Sequence, residues 1–537
     1  MPGRVAQNLL GALAPAARDW HQQFSEERFA QRLRQADPTL WTDDAQTAAR
    51  VVLCLGWVDA PAPTSSTIEA AAGQVLLLGM GGSSLGAQAC ARAFGTDRLR
   101  VVDSTVPDAV GEAEAQLERV TDVVVASKSG GTLETAALAD YFEDRCAASV
   151  RFHAVTDPNS ELARRAAERA YASCSLNASD IGGRFSVLSE FGRVPLSLAG
   201  IDFDSVHARG LAMAGRCAQD GEANPGVWLG AVLAAAAAAG RNKLMLVAAP
   251  ELDGLGDWIE QLVAESTGKD GKGIVPVTRA RPGTIAAAPA DRVVVTLEWE
   301  HESLPSRDVD EWIAAGIPVV RTRLAVPADM GGEFYRWQVA VAAVGRALQI
   351  NPFDEPNVAS AKQRTAEVLA ASEASESAGE PAPAWTGRHL ALYGAESVTA
   401  GPELLRELVA GDDDGYIGIL AFLAQAPATE AMVERLRAAL PQATPVTVGW
   451  GPRYLHSSGQ LHKGGPNAGR FLVLTATSQN DRAIPGRPWT FGDLAGAQAV
   501  GDAAALQDAG RHVVRAQLIG DLDAAVAELI TLLQKNP

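Results

Sequence analysis

Short apolar runs alternate with helix-like segments along the first half of the chain. Runs at Val75–Leu78, Leu99–Val102, Val123–Ala126 and Arg151–Val155 read as strands, and helical segments separate them. Runs of four to eight apolar and β-branched residues are typical of buried strands, whereas apolar spacing of three to four is typical of helices. The alternation from about residue 70 to 215 predicts a doubly wound parallel sheet, an α/β fold.

The residues before this region follow a different pattern. Up to about residue 60, apolar residues recur at a spacing near 3.6, which predicts helices over Val5–Ala14, Phe24–Gln35 and Asp43–Leu55. No strand-like run interrupts them. We therefore expect a helical N-terminal segment ahead of the sheet.

A second stretch of alternating elements runs from about residue 216 to 368. Its predicted elements are helix Leu229–Ala239, strand Leu244–Ala248, helix Asp257–Ser266, strands Val293–Leu297 and Val319–Thr322, and helix Glu333–Leu348. The same reasoning predicts a second α/β unit with a parallel sheet.

The last third of the chain is set apart by a change in composition. Ala371–Ala384 is rich in Ser, Glu, Gly, Pro and Ala, which is typical of a linker. Strands at Tyr416–Ala421, Val446–Val448 and Phe471–Leu474 and a final helix at Asp521–Gln534 follow it. The predicted organisation is a helical segment at 1–60, α/β domains at 61–215 and 216–370, a linker at 371–386 and a C-terminal α/β segment at 387–537.

Composition and charge narrow the possible functions. At 537 residues the chain is too long for a single core. A net charge of -18 argues against a nucleic-acid or anionic-membrane surface, but local basic groups still permit a small anionic substrate. The five cysteines are scattered without C-x-x-C spacing, which predicts a reducing compartment and no zinc site. With no signal segment or spanning apolar run, we expect a soluble, cytoplasmic protein.

A polar turn follows the strand Val123–Ala126. Its sequence, Ser127-Lys128-Ser129-Gly130-Gly131-Thr132-Leu133-Glu134-Thr135, places hydroxyls and glycines at the start of a helix. Backbone N–H groups and the positive end of the helix dipole meet at such a point, and glycines let an anion approach the backbone. The turn is not a Walker loop, because its spacing differs. It predicts a phosphate cradle; the alternative is an ordinary strand-to-helix turn rich in capping residues.

A second turn of this kind lies about fifty residues upstream. Val75–Leu78 is followed by Gly79-Met80-Gly81-Gly82-Ser83-Ser84-Leu85-Gly86 and then by a helix. One glycine-rich turn is weak support for a ligand site, because many nucleotide-binding folds have one. Two of them can lie at the same carboxyl edge of a parallel sheet, where ligands of open α/β sheets bind.

Together, Gly79–Gly86 and Ser127–Thr135 resemble the paired phosphate-sugar loops of sugar-isomerase (SIS) domains, and specifically those of phosphoglucose isomerases. The resemblance implies two such domains and a substrate phosphate held by Gly82, Ser83, Ser127, Lys128, Ser129, Thr132 and Thr135. Gly131 departs from the family, which usually has a threonine there. One phosphate-binding hydroxyl is therefore expected to be missing.

Three further segments are similar to phosphoglucose isomerases. The stretch Asp180–Ser189 matches a glycine-glycine-arginine-aromatic-serine motif, which implies that Arg184 sits over the reacting carbons. Helix Asp257–Ser266 ends in the stretch Glu265–Gly273, which matches the family's catalytic-glutamate segment, with Glu265 as the glutamate. Asn351–Lys362 matches the segment of the catalytic lysine, with Lys362 as the lysine. Glu355 stands where the family commonly has a glutamine. Each of the three residues has an alternative interpretation. Arg184 can be a surface salt-bridge residue, Glu265 a helix-end carboxylate near Lys269, and Lys362 an exposed helix lysine.

The histidine that the resemblance requires is absent from its usual place. Opening a cyclic hexose phosphate needs a proton shuttle at the ring oxygen, and histidine suits this near neutral pH. No histidine lies between Glu265 and Arg292, but Leu455–Gln460 resembles the family's histidine segment far downstream. We therefore expect His456 to open the ring, with His462 as the competing candidate.

As a whole, the chain is most similar to the isomerase half of bifunctional transaldolase–phosphoglucose isomerases. This implies interconversion of glucose 6-phosphate and fructose 6-phosphate without a metal or redox cofactor, by a homodimer, with a separate transaldolase as a possible functional partner. In this scheme Glu265 moves the proton between C2 and C1, Arg184 stabilises the cis-enediolate, and His456 and Lys362 assist ring opening. Two alternatives remain: an isomerase of mannose 6-phosphate or of a sulfonated hexose, and a non-catalytic sugar-phosphate sensor.

Overall fold

The computed structural model describes residues 9–60, 68–221, 223–373, 382–394, 401–410, 415–478 and 480–535. The chain divides into two compact units, which are described separately. Unit 1 comprises Met1–Asp103, Leu117–Ala139 and Cys146–Glu355, and unit 2 comprises Ser104–Gln116, Asp140–Arg145 and Pro356–Pro537.

The N-terminal segment of unit 1 is helical, as predicted, but its helices have other bounds. They are α1 Ala14–Glu26, α2 Phe29–Arg34 and α3 Ala45–Val52. The prediction of a helix over Val5–Ala14 is wrong for residues 11–13, which form a single 3-10 turn, while residues 5–8 lie outside the described residues. Helix α1 begins only at Ala14, because proline is favoured in the first turn of a helix and Pro15 occupies that turn. The predicted helix Phe24–Gln35 is broken at Arg28, whose φ is 55°.

The first sheet of unit 1 has five parallel strands in the order β2-β1-β3-β4-β5. The strands are β1 Gln74–Gly79, β2 Leu99–Val102, β3 Val120–Ala126, β4 Arg151–Thr156 and β5 Ser173–Leu176. The helices of this region are α4 Leu85–Ala93, α5 Pro107–Glu114, α6 Leu133–Arg145, α7 Glu161–Glu168 and α8 Glu190–Leu198. Helix α5 and the Asp140–Arg145 end of α6 belong to unit 2. The predicted parallel sheet is confirmed.

The second sheet of unit 1 is also parallel, with the order β7-β6-β8-β9. Its strands are β6 Lys243–Ala248, β7 Val275–Val277, β8 Arg292–Trp299 and β9 Val319–Leu324. The helices of this half are α9 Phe203–Cys217, α10 Pro225–Ala238, α11 Asp253–Thr267, α12 Pro282–Ile285, α13 Ser306–Ala314 and α14 Met330–Leu348. The second predicted α/β unit is therefore present.

Helices pack closely both within the second half of unit 1 and between its two halves. Helix α10 is uncharged and buried along most of its length, and it packs against α14. Helix α11 crosses α4 so closely that a Cβ atom at Gly254 would lie 2.8 Å from the Cα atom of Ala89. Only glycine permits this approach. Helix α11 also lies close to the 3-10 turn Gly81–Ser83, which follows β1.

Unit 2 is built on a six-stranded mixed sheet with the order β10-β11-β15-β14-β12-β13. Its elements are α15 Val358–Glu373, β10 Trp385–Thr386, β11 Leu390–Tyr393, α16 Gly401–Val409, β12 Tyr416–Phe422, α17 Pro427–Ala439, β13 Val446–Trp450, α18 Gly459–Gly464, β14 Gly469–Ala476, α19 Phe491–Asp508, β15 His512–Leu518 and α20 Leu522–Gln534. The β10–β11 and β11–β15 pairs are antiparallel, and the β15–β14, β14–β12 and β12–β13 pairs are parallel. This agrees with a C-terminal α/β segment.

The boundary of unit 2 lies earlier than the predicted linker. Helix α15 packs on α19 and so falls in unit 2, although the sequence places it in the second α/β domain. Of the predicted linker 371–386, the first three residues end α15 and Trp385–Thr386 form β10, while 374–381 lie outside the described residues. Within the described part of the chain, no helix combines the length and apolarity needed to cross a membrane.

Candidate active site

The turn between β3 and α6 carries most of the predicted phosphate ligands. Ser127 Oγ lies 3.0 Å from Thr132 Oγ1 and accepts a 3.2 Å hydrogen bond from the Gly130 N–H. Ser129 Oγ accepts a 3.3 Å hydrogen bond from the Gly131 N–H. The structure therefore gathers these hydroxyls at the N-terminus of α6, where the helix dipole and the first N–H groups favour an anion.

Thr135 and Lys128 differ in their relation to this turn. The Thr135 hydroxyl is buried in the first turn of α6 and has no hydrogen-bond partner among the described residues. The Lys128 ammonium donates to the Asp157 carboxylate and, at 2.7 Å, to the Ser179 carbonyl. Its side chain is thus engaged with the segments that follow β4 and β5.

The two glycines of this turn, Gly130 and Gly131, differ in the space around them. Gly130 has a φ of +74°, and a Cβ atom there would lie 2.5 Å from the Leu162 nitrogen, so only glycine fits against the start of α7. Gly131 is outside the left-handed region, and its Cβ position is 3.6 Å from Glu161 Oε2, an ordinary contact. A threonine would fit at position 131, beside a carboxylate.

The turn after β1 touches the turn that carries Arg184. A Cβ atom at Gly82 would lie 2.2 Å from the Gly183 carbonyl oxygen, so a side chain at position 82 would separate the two backbones. Ser186 Oγ donates a 2.7 Å hydrogen bond to the same Gly183 carbonyl. Ser83, half-buried, lies in the 3-10 turn beside Gly82. The predicted Gly82 and Arg184 segments are therefore in direct contact.

Arg184 is buried, and each of the three nitrogens of its guanidinium donates a hydrogen bond. Nε donates to Ser266 Oγ at 2.9 Å, and Nη2 donates to the carbonyls of Pro352 and Asp354 at 2.9 and 3.2 Å. Nη1 donates to Glu355 Oε2 at 3.1 Å and lies 3.4 Å from Glu265 Oε1. The structure thus brings Arg184 and Glu265 together, as the sequence predicts, and excludes the alternative of a surface arginine.

The charge of Arg184 is secured by its neighbours. Burial alone lowers the pKa of an arginine, but the carboxylates of Glu265 and Glu355 outweigh that effect and raise the pKa of Arg184 above its ordinary value. A permanent positive charge therefore sits beside the predicted catalytic carboxylate. Such a charge stabilises negative charge that develops on a nearby substrate oxygen.

Glu265 is held near the C-terminal end of α11. The residue is buried, and Glu265 Oε2 accepts a 3.1 Å hydrogen bond from Gln261 Nε2, one turn earlier on the helix. Gln261 is outside the motifs described for the sequence. Its signal was present, because residues four apart lie on the same helix face.

Lys269 and Asp354 form a second charged pair that the sequence analysis missed. Lys269, which is almost fully buried, donates to Asp354 Oδ1 at 2.8 Å and also to the Asp354 carbonyl. Burial, reinforced by the neighbouring Arg184 charge, lowers the pKa of Lys269. Lys269 was the neighbour expected for Glu265 if Glu265 were only a helix-end carboxylate. In the structure Lys269 pairs with Asp354, and Glu265 pairs with Arg184.

Glu355 is the more exposed carboxylate on Arg184. Its side chain is 48% exposed, whereas that of Glu265 is 11% exposed. Both carboxylates approach the same nitrogen, Nη1. Among the acceptors around Arg184, the half-exposed Glu355 side chain has the most room to move away when a substrate oxygen arrives.

The two remaining predicted residues, His456 and Lys362, belong to unit 2. His456 is half-buried in the 3-10 turn Arg453–His456, and Lys362 is exposed on α15. The rival candidate His462 lies in the core. It is 1% exposed, its Nδ1 atom hydrogen-bonds with the Tyr416 hydroxyl at 3.0 Å, and burial lowers its pKa well below the usual value. The structure therefore places His462 in the core of unit 2.

Among the described residues, no group of three or more His, Cys, Asp and Glu side chains is arranged to hold a metal ion.

Comparison with known proteins points to one family. Glucose-6-phosphate isomerase of Rubrobacter xylanophilus is 30% identical over 362 residues, which cover 54% of this chain and 80% of the relative. A probable glucose-6-phosphate isomerase of Haloarcula marismortui is 29% identical over 364 residues, 60% of this chain and 82% of the relative. No protein-family profile matches.

A solved structure shares the fold. The crystal structure of a hypothetical protein from Thermus thermophilus aligns with a TM-score of 0.56 at 21% identity. The alignment covers 67% of this chain and 98% of that protein. At this identity the likeness concerns the fold.

Proposed function

This chain belongs to the glucose-6-phosphate isomerase family, and we propose how its own residues interconvert glucose 6-phosphate and fructose 6-phosphate. The observation that carries the proposal is the buried pair in unit 1, where Arg184 Nη1 lies 3.4 Å from Glu265 Oε1. A base beside a fixed positive charge is what proton transfer next to a carbonyl requires, because the charge stabilises the oxyanion that forms.

The isomerisation proceeds through a cis-enediolate. The Glu265 carboxylate removes the proton from C2 of the open-chain aldose, the C1–C2 double bond forms and negative charge passes to O1. Arg184 stabilises that charge. O1 then gains a proton, O2 loses one as the C2 carbonyl forms, and the protonated Glu265 returns its proton to C1. One carboxylate serves both carbons, and the Gln261 hydrogen bond fixes its orientation.

Ring opening precedes this step and is assigned to His456 and Lys362. A proton leaves the C1 hydroxyl, another reaches the ring oxygen, and the C1–O5 bond breaks to give the aldehyde. Histidine suits a shuttle of this kind near neutral pH. The core position of His462 supports the choice of His456.

The substrate phosphate is assigned to the turn between β3 and α6. Ser127, Ser129, Thr132 and Thr135 supply hydroxyls, Lys128 supplies its backbone, and Gly82 and Ser83 lie in the companion turn after β1. The unpartnered, buried Thr135 hydroxyl supports this assignment, since a buried polar group normally has a partner and an anion would supply one.

Ser127→Ala combined with Thr132→Ala tests the phosphate turn. Each change removes a hydrogen bond to a charged group, worth about 1.5–3 kcal/mol. We expect sugar-phosphate inhibitors to bind at least about a hundredfold more weakly, as measured by titration calorimetry. The thermal unfolding midpoint serves as the folding control. Unchanged inhibitor affinity in a folded variant would place the phosphate elsewhere.

Glu355→Gln tests the second carboxylate on Arg184. The substitution keeps the shape but removes a charge that partly neutralises the guanidinium. We expect an inhibitor with a carboxylate at C1, which mimics the enediolate charge, to bind several-fold to about tenfold more tightly, because the half-exposed pair is weak. A sugar-alcohol phosphate, which has no second charge, is the matched control ligand. Equal changes for both inhibitors would contradict this role of Glu355.

The activity itself is tested by the formation of glucose 6-phosphate from fructose 6-phosphate, coupled to a dehydrogenase specific for the product. Parallel reactions with mannose 6-phosphate and a sulfonated hexose test related substrates, for which the Gly131 departure leaves room. Turnover of fructose 6-phosphate well above these is expected. Binding without turnover would favour a sugar-phosphate sensor.

The assembly and setting of the enzyme also belong to this proposal. The resemblance to phosphoglucose isomerases suggests a homodimer, and the resemblance to the bifunctional enzymes suggests a separate transaldolase as functional partner. The scattered cysteines suggest a reducing, cytoplasmic setting. Size-exclusion chromatography with light scattering tests the homodimer directly.

A further inference from the structure

A reciprocal pair of hydrogen bonds joins two segments of unit 2 that are distant in sequence. Gln460 is fully buried; its Oε1 atom accepts from the Asn357 backbone N–H at 2.9 Å, and its Nε2 atom donates to Asn357 Oδ1 at 2.8 Å. The contact is tight, because a Cβ atom at Gly464 would lie 2.4 Å from Asn357 Oδ1. The mechanism above makes no use of this pair.

Asn357 occupies the position just before the first residue of α15. In a capping box, the backbone N–H of that residue is bound by a side chain three positions into the same helix. Here the acceptor comes from Gln460, on another segment. The start of α15 is therefore fixed by α18 as well as by its own sequence.

Each residue of this pair lies within five positions, along the sequence, of a residue assigned to ring opening. Lys362 lies on α15, five residues after Asn357, and His456 precedes Gln460 by four residues. The 3-10 turn Arg453–His456 packs against α15. The pair thus connects the segments that carry both residues.

Helix α19 supports the same arrangement from a third direction. A Cβ atom at Gly501 would lie 2.8 Å from the Thr365 nitrogen, so α15 and α19 are in close backbone contact. The next residue, Asp502, binds Lys463 Nζ at 2.5 Å and accepts a 2.7 Å hydrogen bond from the Tyr454 hydroxyl. Helix α19 thus supports α15 and the segment around Lys463, and the Asn357–Gln460 pair links the start of α15 to α18.

We propose that Gln460 is a positioning residue that sets Lys362 relative to His456. The proposal rests on the ring-opening roles given above. Its consequence is that the loss of the pair impairs ring opening, while proton transfer at Glu265 in unit 1 continues.

The test compares a cyclic and an acyclic substrate in the full-length protein. Gln460→Met keeps the buried volume and removes both hydrogen bonds. We expect kcat/KM for glucose 6-phosphate to fall about tenfold to a hundredfold, the usual cost of a displacement of about 1 Å. The isomerisation of an aldotetrose 4-phosphate, whose O4 is esterified so that no ring can close, should stay within about twofold of the wild-type value.

Two variants of Asn357 control for a merely structural effect. Asn357→Asp keeps both the Oδ1 acceptor and the backbone N–H, and it should retain wild-type selectivity between the two substrates. Asn357→Ala should reproduce the selective loss partly, and it leaves the buried Gln460 in place if Gln460→Met fails to fold. Equal losses with both substrates, or none, in folded Gln460→Met and Asn357→Ala would overturn the proposal.

His456→Ala separates this inference from the proposed function. If His456→Ala impairs both substrates equally, the ring-opening role of His456 is wrong, and the inference falls with it. If His456→Ala is selective for the cyclic substrate and Gln460→Met is not, the proposed function stands and only the positioning role of Gln460 is refuted.

Discussion

Replacing Glu265 with glutamine should lower kcat by at least about a thousandfold, with little change in KM. The amide keeps the shape of the side chain and its contact with Gln261 but cannot take the C2 proton, and a positioned base contributes about 10²–10⁴-fold. The loss should appear equally with glucose 6-phosphate and with the acyclic tetrose phosphate, because both need proton transfer. Steady-state kinetics with the two substrates measures it.

Glu260→Gln is a matched control on the same helix. It makes the same chemical change at a half-buried position five residues earlier and should leave kcat within about twofold, because Glu260 is outside the Arg184–Glu265 pair. A Glu265→Gln enzyme that keeps more than about a tenth of wild-type turnover would show that another group is the base.

Lys463→Met should destabilise unit 2 by about 3–5 kcal/mol. The substitution leaves Asp502, which is fully buried, with only the Tyr454 hydroxyl as its described hydrogen-bond partner, and breaking a buried ion pair on one side has a cost of this size. Asp502→Asn should have a similar cost, because it leaves the buried Lys463 ammonium without its counter-charge. Hydrogen exchange in β14, followed by mass spectrometry, measures the opening free energy of this unit.

The double variant Lys463→Met with Asp502→Asn distinguishes charge from packing. It removes both charges and keeps an acceptor for Tyr454, so its destabilisation should be far smaller than the sum of the two single effects. Additive losses would mean that the pair contributes through side-chain volume and not through its charges.

The sheets of unit 1 were predictable because both parallel sheets are buried on two faces. Strands such as Val123–Ala126 read as continuous apolar runs for that reason. Strand β5 was missed because Ser173–Leu176 is polar and largely exposed at the sheet edge. The bounds of the N-terminal helices depend on local breaks, such as the positive φ of Arg28, that spacing does not reveal.

The candidate site was predictable where residues carry a recognisable motif. Arg184 and Glu265 were expected to act together, and they do lie together in unit 1. Lys269 and Asp354 were not expected as a pair, because 85 residues separate them and only the fold brings them into contact. The core position of His462 likewise needed the structure, since a buried and an accessible histidine look alike in sequence.

Arg184 also stabilises a neighbouring loop, and this affects how the kinetics of its variants are interpreted. Its Nη2 atom holds the carbonyls of Pro352 and Asp354, so the arginine also shapes the segment that carries Glu355. Kinetic losses in Arg184→Ala would combine a missing charge with a displaced loop. Added guanidinium, which restores the charge without the covalent tether, would recover only the electrostatic part. The fraction of activity rescued in this way would separate the two contributions.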